Sequence, residues 1–166
     1  MQEGALLLPF GSPLTGVTYR GKFPTDGYEI EFLAARLSGT DFFCALTFPV
    51  LEQHATLVLG GWGGSLTGIS CVDGEDASSN TTRQFRHYET GREYRVRVQL
   101  ADGRLQCFVD NERIADLEVA AHRFSLRPEV ELSRPLGLAS YMTTGRIRGL
   151  RFRRVVLAGD PIDSAR

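Results

Sequence analysis

The run YRVRVQL at residues 94–100, followed by ADG (101–103), RLQCFVD (104–110), NE (111–112) and RIADLEV (113–119), decides the fold of this chain. Tyr94, Val96, Val98 and Leu100 fall on one side of an extended backbone, with Arg95, Arg97 and Gln99 on the other. That alternation belongs to a strand with one face in a core and one in water. Ala101-Asp102-Gly103 supplies a tight turn and Asp110-Asn111-Glu112 a second, so the stretch predicts a three-stranded antiparallel meander.

The same period extends outward. YEIEFLA (28–34) puts Tyr28, Ile30 and Phe32 opposite Glu29 and Glu31. Further strands are expected at GVTYRG (16–21), DFFCALTF (41–48), ATLVLGG (55–61), LTGISCV (66–72), TRQFRHYE (82–89), PLGLASY (135–141) and RIRGLRFR (146–153). Helical periodicity is nearly absent, and only Ala121–Phe124 has room for a short helix. Many short strands separated by Gly, Asp and Asn turns, without strand–helix alternation, predict an all-β antiparallel two-sheet β-sandwich. The 166 residues suit one such domain. It is read as residues 1–158, with a polar tail at 159–166.

Charge and cysteine content narrow the function classes. A formal net charge of -1 gives no general attraction to nucleic acid or to an anionic membrane. Arg146, Arg148, Arg151, Arg153 and Arg154 are dense, yet they interleave with Ile147, Leu150 and Phe152 and read as the wet face of a strand. Cys44 and Cys107 lie in apolar runs and read as small core residues, while Cys71 permits one bridge, to Cys44, if their strands are neighbours. No CxxC or HExxH spacing supports a metal site, and no motif calls for a cofactor. The apolar run in MQEGALLLPFGSP is shorter than a signal h-region and Glu3 stands where a basic start belongs. With no run of membrane-span length, the chain reads as soluble, and export would require a leader upstream.

Gly39–Asn80 holds the strongest functional signal: GTDFFCALTFPV, TLVLGGWGG, then SLTGISCVDGEDASSN. Trp62, the only Trp, is framed by Gly60, Gly61, Gly63 and Gly64. Glycines let backbone approach closely, which can leave an aromatic face open as a sugar platform. Equally, they can shape a strand crossover that Trp62 plugs.

At GTDFFCALTFPV, GGWGGSLTGIS, DGEDASSNTTR and RPEVELSRPLGLASYMTTGRIRGLRFRRV the chain resembles the bacterial 3-keto-disaccharide hydrolase domains, over roughly residues 16–155. The resemblance implies a concanavalin-like, laminin-G-like jelly roll associated with carbohydrate, bound on a concave sheet face. Hydrolysis of 3-keto-glycosides is the alternative it carries. Where catalytic members are expected to have a Trp-Asn pair before the meander and an Asn-Gly turn inside it, this chain has Gly91-Arg92-Glu93-Tyr94 and Asp110-Asn111-Glu112. A sandwich that docks another protein, marked by an exposed apolar patch, is a third class.

Candidate site residues follow from chemistry. Glu29 and Glu31, on one strand face about 7 Å apart by strand rise, have a tolerable spacing for the two carboxyls of glycoside cleavage. They also fit an ordinary solvated strand face. Asp76, in the acidic set Asp73, Glu75 and Asp76, can accept hydrogen bonds from sugar hydroxyls, coordinate a hard cation, or simply close a turn. Asn80 can order its loop or turn its amide to a ligand. Arg36 can fix hydroxyls or tie two strands together. Tyr141, Thr143 and Thr144 are expected in a structural loop before the last strand, and His87 as a half-buried structural residue beside Phe85. No GxSxG elbow supports a serine hydrolase.

Overall fold

A computed structural model describes residues 4–159. Twelve strands form there: β1 (Ala5–Leu8), β2 (Leu14–Tyr19), β3 (Tyr28–Gly39), β4 (Cys44–Val50), β5 (Gln53–Gly61), β6 (Leu66–Ser70), β7 (Gln84–Phe85), β8 (Tyr94–Ala101), β9 (Arg104–Val109), β10 (Glu112–Glu118), β11 (Leu136–Tyr141) and β12 (Thr143–Arg154). They make two six-stranded sheets, ordered β1-β12-β3-β8-β9-β10 and β2-β11-β4-β5-β6-β7. Every pairing is antiparallel. The molecule is the antiparallel two-sheet sandwich that the alternation predicts, and the meander of β8, β9 and β10 closes one side of the first sheet.

Strand alternation fills the space between the sheets. Tyr28, Ile30 and Phe32 of β3 and Val96, Val98 and Leu100 of β8 share one core with Leu46 and Phe48 of β4 and Leu57 and Leu59 of β5. Phe32 and Phe48, at 1% and 0% exposure, each contribute about 1.5–3 kcal/mol through burial alone. The Tyr28 hydroxyl, buried in this layer, donates to the Pro49 carbonyl and so carries its polar atom without an unpaired group.

The arginine-rich C-terminal strand solves a parity problem. Arg146 and Arg148 occupy even positions and Arg151 and Arg153 odd ones, so a regular strand would turn one pair into the core. The register against β3 shifts between Arg148 and Arg151, with Gly149 at φ +60. This bulge inserts one residue and returns both pairs to the outer face.

Several local expectations differ from what forms. A strand appears at β1, in the apolar run of Ala5–Leu8, because pairing with β12 supplies the context that four residues lack alone. TRQFRHYE yields only Gln84–Phe85 as strand, and His87 is exposed rather than half-buried. The expected turn of helix at 121–124 lies earlier as a 3-10 turn at Val119–Ala121, and a second spans Pro128–Ser133. Tyr141 ends β11 and Thr143 opens β12, with only Met142 between them, so the expected loop is a tight corner. All three cysteines are free. Cys71 lies just past β6, which β5 separates from β4, and two strand spacings, about 9.5 Å, exceed the reach of a disulfide. Residues 160–166 of the expected tail lie outside the described residues.

Candidate functional site

Arg36 organises one end of the sandwich. Its inward-facing side chain on β3 is 7% exposed, and the guanidinium donates to the carbonyls of Gly64 (2.8 Å), Asp41 (3.2 Å), Gly60 (3.3 Å) and Tyr88 (3.5 Å). It also lies 5.2 Å from the centroid of the Phe43 ring. Burial lowers its pKa below the ordinary arginine value, yet the bound carbonyls keep the charge solvated by dipoles. Of the two roles open to this residue, the contacts are those of a tie between strands.

The glycine cluster is explained by that tie. A Cβ at Gly60 would collide with Nη2 of Arg36, and one at Gly64 would lie 3.0 Å from the Thr40 carbonyl. Both glycines also hold positive φ, +73 and +112, which side chains rarely tolerate. The hairpin between β5 and β6 thus wraps the guanidinium. Trp62 sits at its tip with φ +50, 44% exposed. It does not plug the core.

Trp62 forms one rim of a cleft of about 240 Å³ on the outer face of the second sheet. The floor is made of small outward residues on neighbouring strands, Ala45, Thr56, Val58 and Ser70. Phe42 and Tyr141 stand beside Trp62 on the same rim, stacked on each other with centroids 5.7 Å apart and planes at 28°. The opposite wall is Arg127, Glu129 and Val130. It belongs to the connection between β10 and β11, which crosses the sheet and is anchored by Phe124 N–H to Gln53 Oε1 (2.7 Å) and Thr18 Oγ1 to the Leu132 carbonyl (2.7 Å).

Polar groups are sparse in the cleft and held in place. Asp41 accepts from the Phe42 N–H with Oδ1 (2.8 Å) and, at 3.4 Å, from the Gly63 N–H with Oδ2, which leaves Oδ2 capacity for a further donor. Arg127 is flanked by Asp76 (3.3 Å) and Glu129 (3.4 Å). The hydrogen bond to Glu129 raises the pKa of Arg127, while Glu129 is held below the usual carboxylate range by its own backbone N–H and then by Arg127. The pair is therefore charged at neutral pH. Such a site can stack a ring on its aromatic rim and exchange hydrogen bonds with hydroxyls across a small-residue floor.

The six residues singled out from the sequence do not share one site. Trp62 lines the cleft, and Asp76 stands behind it, positioning Arg127 and accepting from Ser78 N–H and Oγ–H. Arg36 lies inside, beneath the rim. Asn80 is fully engaged: its Nδ2 donates to the carbonyls of Ile69 (2.7 Å) and Glu75 (3.0 Å), and its Oδ1 accepts from Thr82 N–H and Oγ1–H. It orders the loop after β6. Glu29 and Glu31 sit on the outer face of the other sheet, Glu29 paired with Arg97 and Arg153 and Glu31 with Arg95 and Arg151. No one sheet face carries all six. Among the described residues no group of three or more His, Cys, Asp or Glu side chains is placed to hold a metal ion. Asp73 instead accepts from Arg123 N–H and pairs with His122 Nδ1 (2.7 Å), which holds its carboxyl below the usual range.

Cleft residues that sequence reasoning missed are Asp41, Phe42, Arg127 and Glu129. Asp41 and Phe42 lie inside the GTDFF segment, where the apolar run disguised an outward Phe as core. Arg127 and Glu129 have no local signal, because the crossing of their segment over the second sheet is a tertiary event.

No protein-family model matches the chain, and comparison with curated proteins finds no match. Solved structures do share its fold. A carbohydrate-binding module from Bacillus subtilis aligns with a TM-score of 0.59 at 11% identity, over 90% of this chain and 95% of that one. A sialidase aligns with a TM-score of 0.55 at 12% identity, over 90% of this chain but 15% of the sialidase. A glycosyl hydrolase family protein from Mycobacterium fortuitum gives a TM-score of 0.50 at 11% identity, over 84% of this chain and 74% of that one. At these identities the likeness establishes the jelly-roll sandwich. Among the described residues no helix is long and apolar enough to cross a membrane.

Proposed function

We propose that this chain is a carbohydrate-binding β-sandwich whose ligand lies in the cleft on the outer face of the second sheet. The observation that carries the reading is Trp62, exposed at the tip of a hairpin that Arg36 fixes from below, beside Phe42 and Tyr141 over a floor of Ala45, Thr56, Val58 and Ser70. A sugar ring stacks its C–H face on Trp62, Asp41 accepts from its hydroxyls, and Arg127 donates to ring or hydroxyl oxygens. The solved structures of like fold, a carbohydrate-binding module among them, support the carbohydrate class of this reading, and the cleft geometry alone supports its place.

Calorimetric titration against a panel of neutral oligosaccharides tests it. Binding is expected in the wild type and weakens at least about tenfold, about 1.4 kcal/mol, in Trp62→Ala, with the melting curve unchanged. Unaltered affinity in that variant would remove Trp62 from the site. The resemblance to 3-keto-disaccharide hydrolases supports a second reading, in which a keto group acidifies its neighbouring C–H and a carboxylate base begins elimination. Glu29 or Glu31, each paired with two arginines on the outer face of the first sheet, would supply that base. Release of monosaccharide from an oxidised disaccharide, abolished in Glu31→Gln, is the result that would favour it.

A further inference from the structure

The outer face of the first sheet carries a charge pattern for which the cleft has no use. On β12, Arg146, Arg148, Arg151 and Arg153 point outward, and on β8, Arg95 and Arg97 do the same. Glu29, Glu31 and Glu93 between them pair with all six guanidinium groups, while Asp110, cross-strand from Arg95, is taken up by Arg86 and Arg92. Six arginines over three carboxylates leave three positive charges uncompensated on strands β12, β3 and β8, in a chain whose formal net charge is -1. The vertical order is also uneven. Glu29 and Glu31 side chains are 8% and 18% exposed, whereas Arg151 and Arg153 are 71% and 73% exposed. The carboxylates form a recessed layer that orients guanidiniums standing above it. A groove of about 430 Å³ opens there, lined by Glu29, Glu31, Arg151, Phe152 and Arg153.

We infer that this face is a second docking surface, for a carboxylated polysaccharide. Each inner carboxylate uses only part of its arginines' donors, since a guanidinium has five N–H groups in a planar fork suited to carboxylate. Side chains two apart on a strand stand about 6.7 Å from one another, so the rows on β12 and β8 offer donors at intervals to an anion that repeats along a chain. A nucleic acid fits less well, because its single strands need free aromatic platforms. Here Arg97 covers the Phe108 ring at 4.0 Å and Phe152 packs against Phe23 with centroids 4.9 Å apart. The choice of a polysaccharide over other carboxylated polymers rests on the carbohydrate reading of the molecule.

Affinity electrophoresis of the purified chain in polygalacturonate, in its fully methyl-esterified form and in dextran tests the inference, with a single-stranded oligonucleotide as competitor. The expected result is retardation in polygalacturonate alone, weakening steeply between about 50 and about 300 mM salt. The double variants Arg151→Gln/Arg153→Gln and Arg95→Gln/Arg148→Gln should each lose about tenfold in affinity while keeping the wild-type circular dichroism, and Arg83→Gln, an exposed arginine between β6 and β7 that belongs to neither surface, should bind as wild type. The inference is overturned by no retardation at low salt, by equal retardation in the esterified polymer, by either double variant binding undiminished, by an equal loss of binding in Arg83→Gln, or by an oligonucleotide that binds more tightly. Neutral oligosaccharides failing to bind while polygalacturonate is retained would overturn the cleft assignment and leave this surface standing.

Discussion

Arg36 and Trp62 divide one task between them. The arginine fixes carbonyls from three segments, at Asp41, at Gly60 and Gly64, and at Tyr88, and the hairpin tip that results leaves the indole in solvent. Arg36→Met would strand those carbonyls in a buried setting and is expected to cost about 3 kcal/mol, read from denaturant melts. Affinity for sugar should fall with it, because the rim loses its support. Gly60→Ala meets the same guanidinium at a positive φ and is expected to destabilise by about 2 kcal/mol. A Gly60→Ala protein as stable as wild type would show that the guanidinium does not need that approach. The residue level was half legible in sequence. GGWGG announced a special backbone, but not that the partner requiring it was Arg36, more than twenty residues upstream on another strand. Asn80, Glu29 and Glu31 had plausible chemistry, and their hydrogen bonds and ion pairs to distant residues could not be read from spacing.

At the scale of elements, the bulge in β12 and the connection over the second sheet matter most. Deleting Gly149 would restore a regular strand and force Arg151 and Arg153 toward the core, so the deletion should abolish the cooperative melt. Gly149→Asn, with open space around its Cβ position and tolerance of positive φ, should melt within about 1 kcal/mol of wild type. A folded deletion variant would contradict the parity argument. The connection carries its own pH dependence. Burial, then nearby Arg134, holds the His54 imidazole below its ordinary value of 6.5, against a smaller opposing effect of Glu131. Below about pH 6.5 the unfolded state therefore takes up protons that the folded state does not, and stability declines until the folded imidazole protonates as well. Thermal melts from about pH 7 to about pH 5 should fall more steeply in the wild type than in His54→Gln. Parallel curves would exclude the linkage. Strands with strict alternation, such as β3, β8 and β9, were readable because local pattern and tertiary burial agree there. β1 and the second 3-10 turn were not, and the bounds of β7 and of the first turn were misplaced, since short elements take their shape from the partners they meet.

For the whole molecule, the two sheets protect one core and present unlike outer faces. One bears a cleft with an aromatic rim, the other an arginine array over recessed carboxylates. The sandwich was legible in the sequence because period-two alternation with tight turns admits few alternatives. The division of outer faces was not, because it depends on which strands become neighbours. The central claim, that Trp62 meets sugar in the cleft, has a direct reporter, since Trp62 is the only tryptophan. Its fluorescence, followed during titration with oligosaccharides and challenged with acrylamide, measures contact at the site itself. The account predicts a saturable change in emission and protection from the quencher by at least one glycan. Calorimetric binding of a neutral oligosaccharide that leaves Trp62 emission and quenching unchanged would contradict it.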